Sequence, residues 1–407
     1  MQISLHKSIP NKQSRIKVTG SKSESNRLLL LQALYPQLHL KNVSNSDDSQ
    51  LMTKALTSDQ ALIDIHHAGT AMRFLTAYLA IQEGRSVVIT GSKRMKERPI
   101  KILVEALQHL GADISYEENE GYPPLKITGK KLTEHQVSLE ANVSSQYISA
   151  LLLIASKLEN GLELTLEGKI TSVPYIKMTL SLLDQIGVKS SFENNKITVA
   201  PFTGPLEPKT ITVESDWSSA SYFFSIVALS APGTQITLEA YKQDSLQGDT
   251  DLVHIYKQFG VETTFDGNTM SLMKTKQAVS HFDYDLVNAP DIAQTIAVSC
   301  FALGMSCDLK GLHTLKIKET DRLVALKTEL EKLGATVDIT DKSLHLQSSN
   351  AIKSGVSIAT YNDHRMAMAF APLALKTDLK IEDAMVVSKS YPTFWDDMET
   401  IGIKLTK

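Results

Sequence analysis

The chain has 407 residues, 42% hydrophobic and 21% charged, which is enough apolar material for the cores of two or three domains. Its formal net charge of −3 excludes the bulk basic character of a nucleic-acid binder. No apolar run reaches membrane-spanning length and the opening MQISLHKSIP lacks the apolar stretch of a signal peptide, so the expected compartment is the cytoplasm.

The first long element is a helix that begins within TGSKSESNRLLLLQAL (19–34). A helix start carries unpaired N–H groups and a partial positive charge, so serine belongs there as a cap. Lys22 and Arg27 do not, unless something negative sits beside them. The segment LMTKALTSDQALIDIHH then reads as a clipped copy of a unit that recurs in fuller form. The fuller copies are LVEALQHLGADISYEENEGYPPLKITG, LSLLDQIGVKSSFENNKITVA, LVHIYKQFGVETTFDGNTMSLM and LKTELEKLGATVDITDKSLHLQ. Each is a helix that stops at a glycine (Gly111, Gly187, Gly260 or Gly334), followed by two short alternating strands around a polar turn. Their spacing is about 74 residues, the mark of an internal repeat. WDDMETIGIKL, with Gly402, closes the series.

Between these copies lie helices apolar nearly all round: SSQYISALLLIASKL, SSASYFFSIVALSA, IAQTIAVSCFALG and RMAMAFAPLALK. Such helices are buried on most sides. The pattern gives about six units of mixed strands and helices. APFTGPLEPKTITVE, with three prolines, reads as a connection between halves, with the domain change near Val213. Cys300 and Cys307 lie in or near one apolar stretch without metal-ligand spacing, as buried free thiols would.

Arginine is sparse, eight among 42 basic residues. Arg15, Arg85 and Arg94 have no clear helix context. Arg27, Arg73, Arg98, Arg322 and Arg365 all fall at or near expected helix starts, Arg98 just ahead of Pro99, which suits the first helical position. A guanidinium grips carboxylate or phosphate bidentately, and a helix N-terminus binds anions through its own N–H groups. The plain alternative is that each arginine pairs with a neighbouring Asp or Glu. Five such positions together favour small, multiply anionic ligands.

The same residues carry a resemblance. GSKSESNR, HAGTAMRF, RMKERPI, SSQYISALL, KETDRL and YNDHRMAMAF occur in order and resemble the motifs of the 5-enolpyruvylshikimate-3-phosphate synthase family. The resemblance implies an α/β (α+β) fold of two domains, each an inside-out barrel of three βαβαββ repeats with buried helices. It places residues 21–213 in a lower domain on the shikimate 3-phosphate side. Residues 1–20 with 214–407 form an upper domain on the phosphoenolpyruvate side that carries the acid and base. It implies enolpyruvyl transfer from phosphoenolpyruvate to the 5-hydroxyl of shikimate 3-phosphate, with loss of phosphate, on the route to aromatic amino acids. It implies no metal, no organic cofactor and a monomer. The absent anions of the opening helix are then the substrates' phosphates and carboxylates.

Residue by residue, the resemblance makes Asp291 the base for the 5-hydroxyl and Glu319 the acid for the methylene carbon. It makes Lys22 catalytic as well, at the junction of both substrates, where its ammonium binds phosphoenolpyruvate and assists proton transfer. Ser23 and Arg27 hold shikimate 3-phosphate. Ser144, Ser145, Gln146, Ser172 and Tyr175 complete its phosphate and hydroxyl contacts, and Lys318 touches a substrate hydroxyl. Gly69, Arg98, Arg322, His364, Arg365 and Lys389 bind phosphoenolpyruvate, while Arg73 serves as an ion-pair partner. Read without the resemblance, Ser23, Ser144 and Ser145 are equally good helix caps, Asp291 is an N-cap aspartate and Lys389 a solvated lysine. The chemistry is addition, with proton transfer to C3, then elimination of phosphate, and closure of the two domains assembles the site. His67 and Phe74 flank AGTAMR where the family usually has asparagine and proline or leucine, and Thr314 stands where many members have asparagine. Two other readings stay open: a UDP-N-acetylglucosamine enolpyruvyl transferase, which would use a loop cysteine or aspartate, and a non-catalytic phosphometabolite-binding protein.

Overall fold

Five helices end in the same way. Gly111, Gly187, Gly260, Gly334 and Gly402 all have φ between +78° and +103°, the left-handed conformation that terminates a helix and costs glycine little. After each, the chain turns into a strand, and in four cases a complete hairpin follows. The computed structural model describes residues 1–140, 144–168, 170, 173–202, 204–276 and 279–407. These fall into two compact units, 1–19 with 214–407 and 20–213.

In the unit of 20–213, strands Leu62–Asp64 and Ser86–Thr90 pair in parallel, as do Gln136–Glu140 and Leu162–Glu167. A parallel pair needs a crossover, and helices Gly69–Ala80 and Ser145–Ala155 provide it. Each sheet is completed by an antiparallel hairpin, Asp113–Tyr116 with Leu125–Thr128 or Ser190–Glu193 with Lys196–Val199. Side chains alternate in and out along the strands, as in Gln136–Glu140, so each sheet turns one face to the core. Helices Lys22–Leu34, Gly69–Ala80 and Ser145–Ala155 pack on one another inside.

The clipped copy lacks its hairpin. Helix Asp47–Leu56 leads straight to strand Leu62–Asp64 with no hairpin, and its unit keeps a two-stranded sheet, Leu38–Lys41 beside Lys209–Thr212. The proline-rich stretch therefore ends in a strand of this unit rather than in a free connection.

The unit of 1–19 and 214–407 repeats the plan three times, around helices Trp217–Leu229, Ala293–Ala302 and His364–Phe370. The last of these is shorter than the apolar run suggests, because Pro372 falls in a 3-10 turn, Ala371–Leu375. Two strands come from the far end of the sequence. Gln13–Ile16 lies parallel to Gln235–Glu239, and Ile3–His6 sits between Leu379–Ile381 and Lys404–Thr406. The N-terminal strand thus fills the place of the hairpin partner that the final copy lacks.

Candidate active site

The N-terminal ends of the buried helices carry the polar side chains, and the two units treat their arginines differently. In the unit of 20–213, Ser21 occupies the cap position of helix Lys22–Leu34, but its hydroxyl makes no capping bond. The expected serine cap is therefore absent, because the Ser21 side chain is turned into the protein, 1% exposed. Lys22, the first helical residue, lies 3.4 Å from Asp48, so one anion it seemed to lack is supplied by the chain. Asp48 also approaches His67, at 3.7 Å. Ser23 is half-buried, and its carbonyl accepts from Arg27 Nη1.

Arg27 is buried with its donors spent on neutral oxygens: Thr179 Oγ1 at 2.8 Å, the Ser23 carbonyl at 2.7 Å and Ser149 Oγ at 2.8 Å. Its guanidinium also stacks near the rings of Phe74 and Tyr175. Burial pulls its pKa down to about 10. Arg73 behaves alike, bonding the Gly69 and Pro99 carbonyls and the Met95 sulfur. The expected ion pair for Arg73 is not formed: among the described residues no carboxylate pairs with it, because it is buried against the Gly69 carbonyl of its own helix and the Pro99 carbonyl. Burial, with the neighbouring Arg98 guanidinium adding repulsion, lowers it to about 10. Arg98 itself lies over Gly69, where an added Cβ would come within 2.5 Å of its Nη1. A side chain there would push the Arg98 guanidinium aside, so glycine leaves room for it. Pro99 is not the first residue of the next helix, which begins at Lys101.

Ser144 caps helix Ser145–Ala155 through the Gln146 N–H, so the plain capping role is realised, and Ser145 is the buried first residue. The Gln146 side chain donates to Thr70 Oγ1 at 3.1 Å. Ser172 lies outside the described residues.

In the other unit the arginines meet carboxylates. Arg322, the first residue of helix Arg322–Lys332 and 2% exposed, is held by Asp363 at 2.6 Å, Asp291 at 2.8 Å and Glu319 at 2.8 Å. Arg365 pairs with Asp291 at 3.2 Å and donates to the Asp291 carbonyl at 3.0 Å. Lys318 reaches Asp291 at 3.3 Å. Burial alone would lower both guanidinium pKa values, but the carboxylates override it and raise them. Burial would likewise raise Asp291, yet Arg365, Lys318 and Arg322 hold it far below the usual carboxylate range.

Asp291 is not an N-cap: it lies within the 3-10 turn Pro290–Ile292, and Ala289 and Ile292 hold the cap positions. Capping falls instead to Asp216, Asp321 and Asp363, each accepting from an N–H of its own helix. Arg94, read as lacking helix context, is in the short helix Lys93–Lys96. His364 is buried as the first residue of its helix. Lys389 donates to the Asn362 carbonyl at 2.7 Å. Sequence reasoning passed over Asp48, Ser149, Thr179, Ser218 and Asp363. Only Asp363 carried a local signal, a capping aspartate after Asn362 and before HR; Tyr361 and Asn362 both have positive φ just before it.

Both cysteines are buried, at 0% and 1% exposed. Among the described residues no helix is long and apolar enough to cross a membrane, and no group of acidic, histidine or cysteine side chains is arranged to hold a metal ion.

Residues 57–398 match the family model of EPSP synthase (3-phosphoshikimate 1-carboxyvinyltransferase). A 3-phosphoshikimate 1-carboxyvinyltransferase of Bacteroides fragilis is 46% identical over 395 residues, covering 96% of this chain and 95% of that protein. One from Haemophilus influenzae is 34% identical over 426 residues, covering 96% and 97%. Among solved structures, EPSP synthase from Acinetobacter baumannii superposes with a TM-score of 0.79 at 22% identity, over all of both chains. The enolpyruvyl transferase NikO from Streptomyces tendae gives 0.77 at 13% identity, covering 100% of this chain and 98% of that one. These two structures establish the two-domain inside-out fold, and the sequence matches establish that the chain belongs to the EPSP synthase family.

Proposed function

We propose that this protein transfers the enolpyruvyl group of phosphoenolpyruvate to the 5-hydroxyl of shikimate 3-phosphate and releases inorganic phosphate. The observation that carries the mechanism is the bracketing of one buried guanidinium, Arg322, by Asp291 and Glu319. In the addition step the 5-hydroxyl oxygen bonds to C2 and its proton goes to Asp291, while Glu319 protonates C3. In the elimination step the C2–O bond to the phosphate breaks, Glu319 takes a proton back from C3 to restore the double bond, and the proton held by Asp291 goes to the departing phosphate. Asp291 is a weak base while three cations surround it. Anionic substrates drawn to those cations offset their field and raise its basicity, so substrate binding itself prepares the base.

In this reading Lys22 is catalytic at the junction of both substrates, binding phosphoenolpyruvate and assisting proton transfer, while Ser23, Arg27, Ser144, Ser145, Gln146, Ser172 and Tyr175 serve shikimate 3-phosphate, with Lys318 on its hydroxyl. Gly69, Arg98, Arg322, His364, Arg365 and Lys389 serve phosphoenolpyruvate. The unit of 20–213 is the shikimate 3-phosphate side and the other the phosphoenolpyruvate and acid–base side. Arg27 and Arg73 support an anion site because burial, which on Arg27 outweighs the field of Glu24, lowers both pKa values, so an incoming anion would stabilise both cations. The protein works as a cytoplasmic monomer, without cofactor.

The test is phosphate release from the two substrates together. Turnover that requires both, and falls at least a hundredfold in Glu319→Gln and Lys22→Met, supports the reading. Binding of shikimate 3-phosphate without turnover would instead favour a non-catalytic binding protein.

A further inference from the structure

Asp249 lies in the 3-10 turn Gly248–Asp251 and is 3% exposed. Its Oδ2 accepts from the Ser218 hydroxyl, and its Oδ1 is buried with no partner among the described residues. Ser218 Oγ in turn accepts from Arg365 Nη2 at 3.2 Å. That nitrogen also lies 3.2 Å from Asp291 Oδ2. A chain of four groups results: carboxyl, hydroxyl, guanidinium, carboxylate.

A hydroxyl has one proton to give. With it committed to Asp249, a Ser218 lone pair faces Arg365, and Nη2 has a fixed acceptor besides the Asp291 carboxylate. A protonated or amide partner at position 249 can donate to Ser218 and removes that constraint. Arg365 Nε is buried and makes no hydrogen bond among the described residues, so its orientation rests on the two Nη groups.

We propose that Asp249 is a positioning residue for Arg365, holding its guanidinium through the Ser218 hydroxyl in the orientation that receives the anionic end of phosphoenolpyruvate. This rests on the reading of Arg365 as a phosphoenolpyruvate ligand. The charged groups facing Asp249 are Arg365, which favours its ionised form, and Asp291 and Asp216, which oppose it. Burial dominates and pushes the Asp249 carboxyl up to about 7, opposite in direction to Asp291. Environments that drive two nearby carboxyls apart are typical of sites that handle protons. The relay therefore loosens as the pH falls through neutrality.

The experiment compares wild type, Asp249→Asn, Ser218→Ala and the double variant between pH 6 and 9. The expected result is a KM for phosphoenolpyruvate raised about tenfold in each single variant. The KM for shikimate 3-phosphate stays unchanged, and the double variant is no worse than the worse single variant. The wild-type profile of KM for phosphoenolpyruvate bends near neutrality beyond the titration of the substrate itself, and the variants lack that component. Unchanged phosphoenolpyruvate KM in folded variants, additive losses in the double variant, or equal rises in both KM values would overturn the proposal. Should Asp249→Asn fail to fold, Ser218→Ala carries the same comparison.

A second readout needs no activity. In protein labelled at the arginine side-chain nitrogens, of which there are only eight sets, the Arg365 signal should follow the Asp249 titration in wild type and not in Ser218→Ala. An Arg365 signal indifferent to that titration in the wild type overturns the relay. A wild type that shows the coupling but turns over neither substrate overturns the functional reading and leaves the relay standing.

Discussion

Two arginine clusters at the helix N-termini of the two units solve the same burial problem in opposite ways. Arg27 and Arg73 sit among hydroxyls, carbonyls and a thioether, and burial lowers both to about 10. Arg322 and Arg365 sit among Asp291, Glu319 and Asp363, and are raised. The first arrangement leaves positive charge for an incoming anion to satisfy. The second spends its charge on carboxylates and so fixes in place the two groups proposed above as base and acid. A family that joins two anionic molecules through proton transfers has use for both.

The largest expected effect tests that contrast directly. Arg322→Met leaves three carboxylates without their shared cation and should cost about 3–5 kcal/mol in denaturant unfolding at pH 7.5. Asp249→Asn comes next, with opposite sign. A carboxyl whose folded pKa of about 7 exceeds its unfolded value of about 3.9 supports folding fully below pH 4 and loses that support as pH rises to about 7. The amide removes this loss, so the variant should gain up to about 4 kcal/mol over wild type at pH 8 and nothing at pH 4. Asp291 runs the other way: its lowered pKa supports folding above pH 4 and that support is lost on acidification. A wild type with no net stability change between pH 5 and 8 beside an Asp249→Asn variant that is flat as well would sink the assignment.

Arg73→Met should cost less than Arg322→Met, about 1–3 kcal/mol, since only neutral acceptors lose their donor. Equal losses in the two variants would erase the distinction between the clusters. The smallest effect belongs to Phe74, which is fully buried with the Arg27 guanidinium 5.3 Å from its ring. Phe74→Leu should lower stability by about 1–2 kcal/mol and leave the other unit's melting unchanged in calorimetry.

Much of the fold was legible because its signals are short-range. A glycine that ends a helix, a strand that alternates and a helix apolar on every face are each written within a dozen residues. The apolar helices of 145–155, 217–229 and 293–302 were found that way and are buried. The clipped copy was legible too, since a missing hairpin shows as a short interval. Two substitutions of strand were not: Ile3–His6 completes the last sheet, and Lys209–Thr212 supplies a strand to the first. Nothing in a strand's own residues states which sheet it will join.

The polar site divides along the same line. Which residues stand at helix starts is written locally, because KETDRL and YNDHRM carry their own capping aspartates. What those residues meet depends on how the chain folds back on itself. Asp291 lies 31 residues from Arg322 and Asp363 lies 41 residues from it, yet both close on one guanidinium. Arg73, on a helix of similar appearance, meets carbonyls instead. An ion pair depends on distance in space and on the exclusion of water, and neither is set by spacing along the chain.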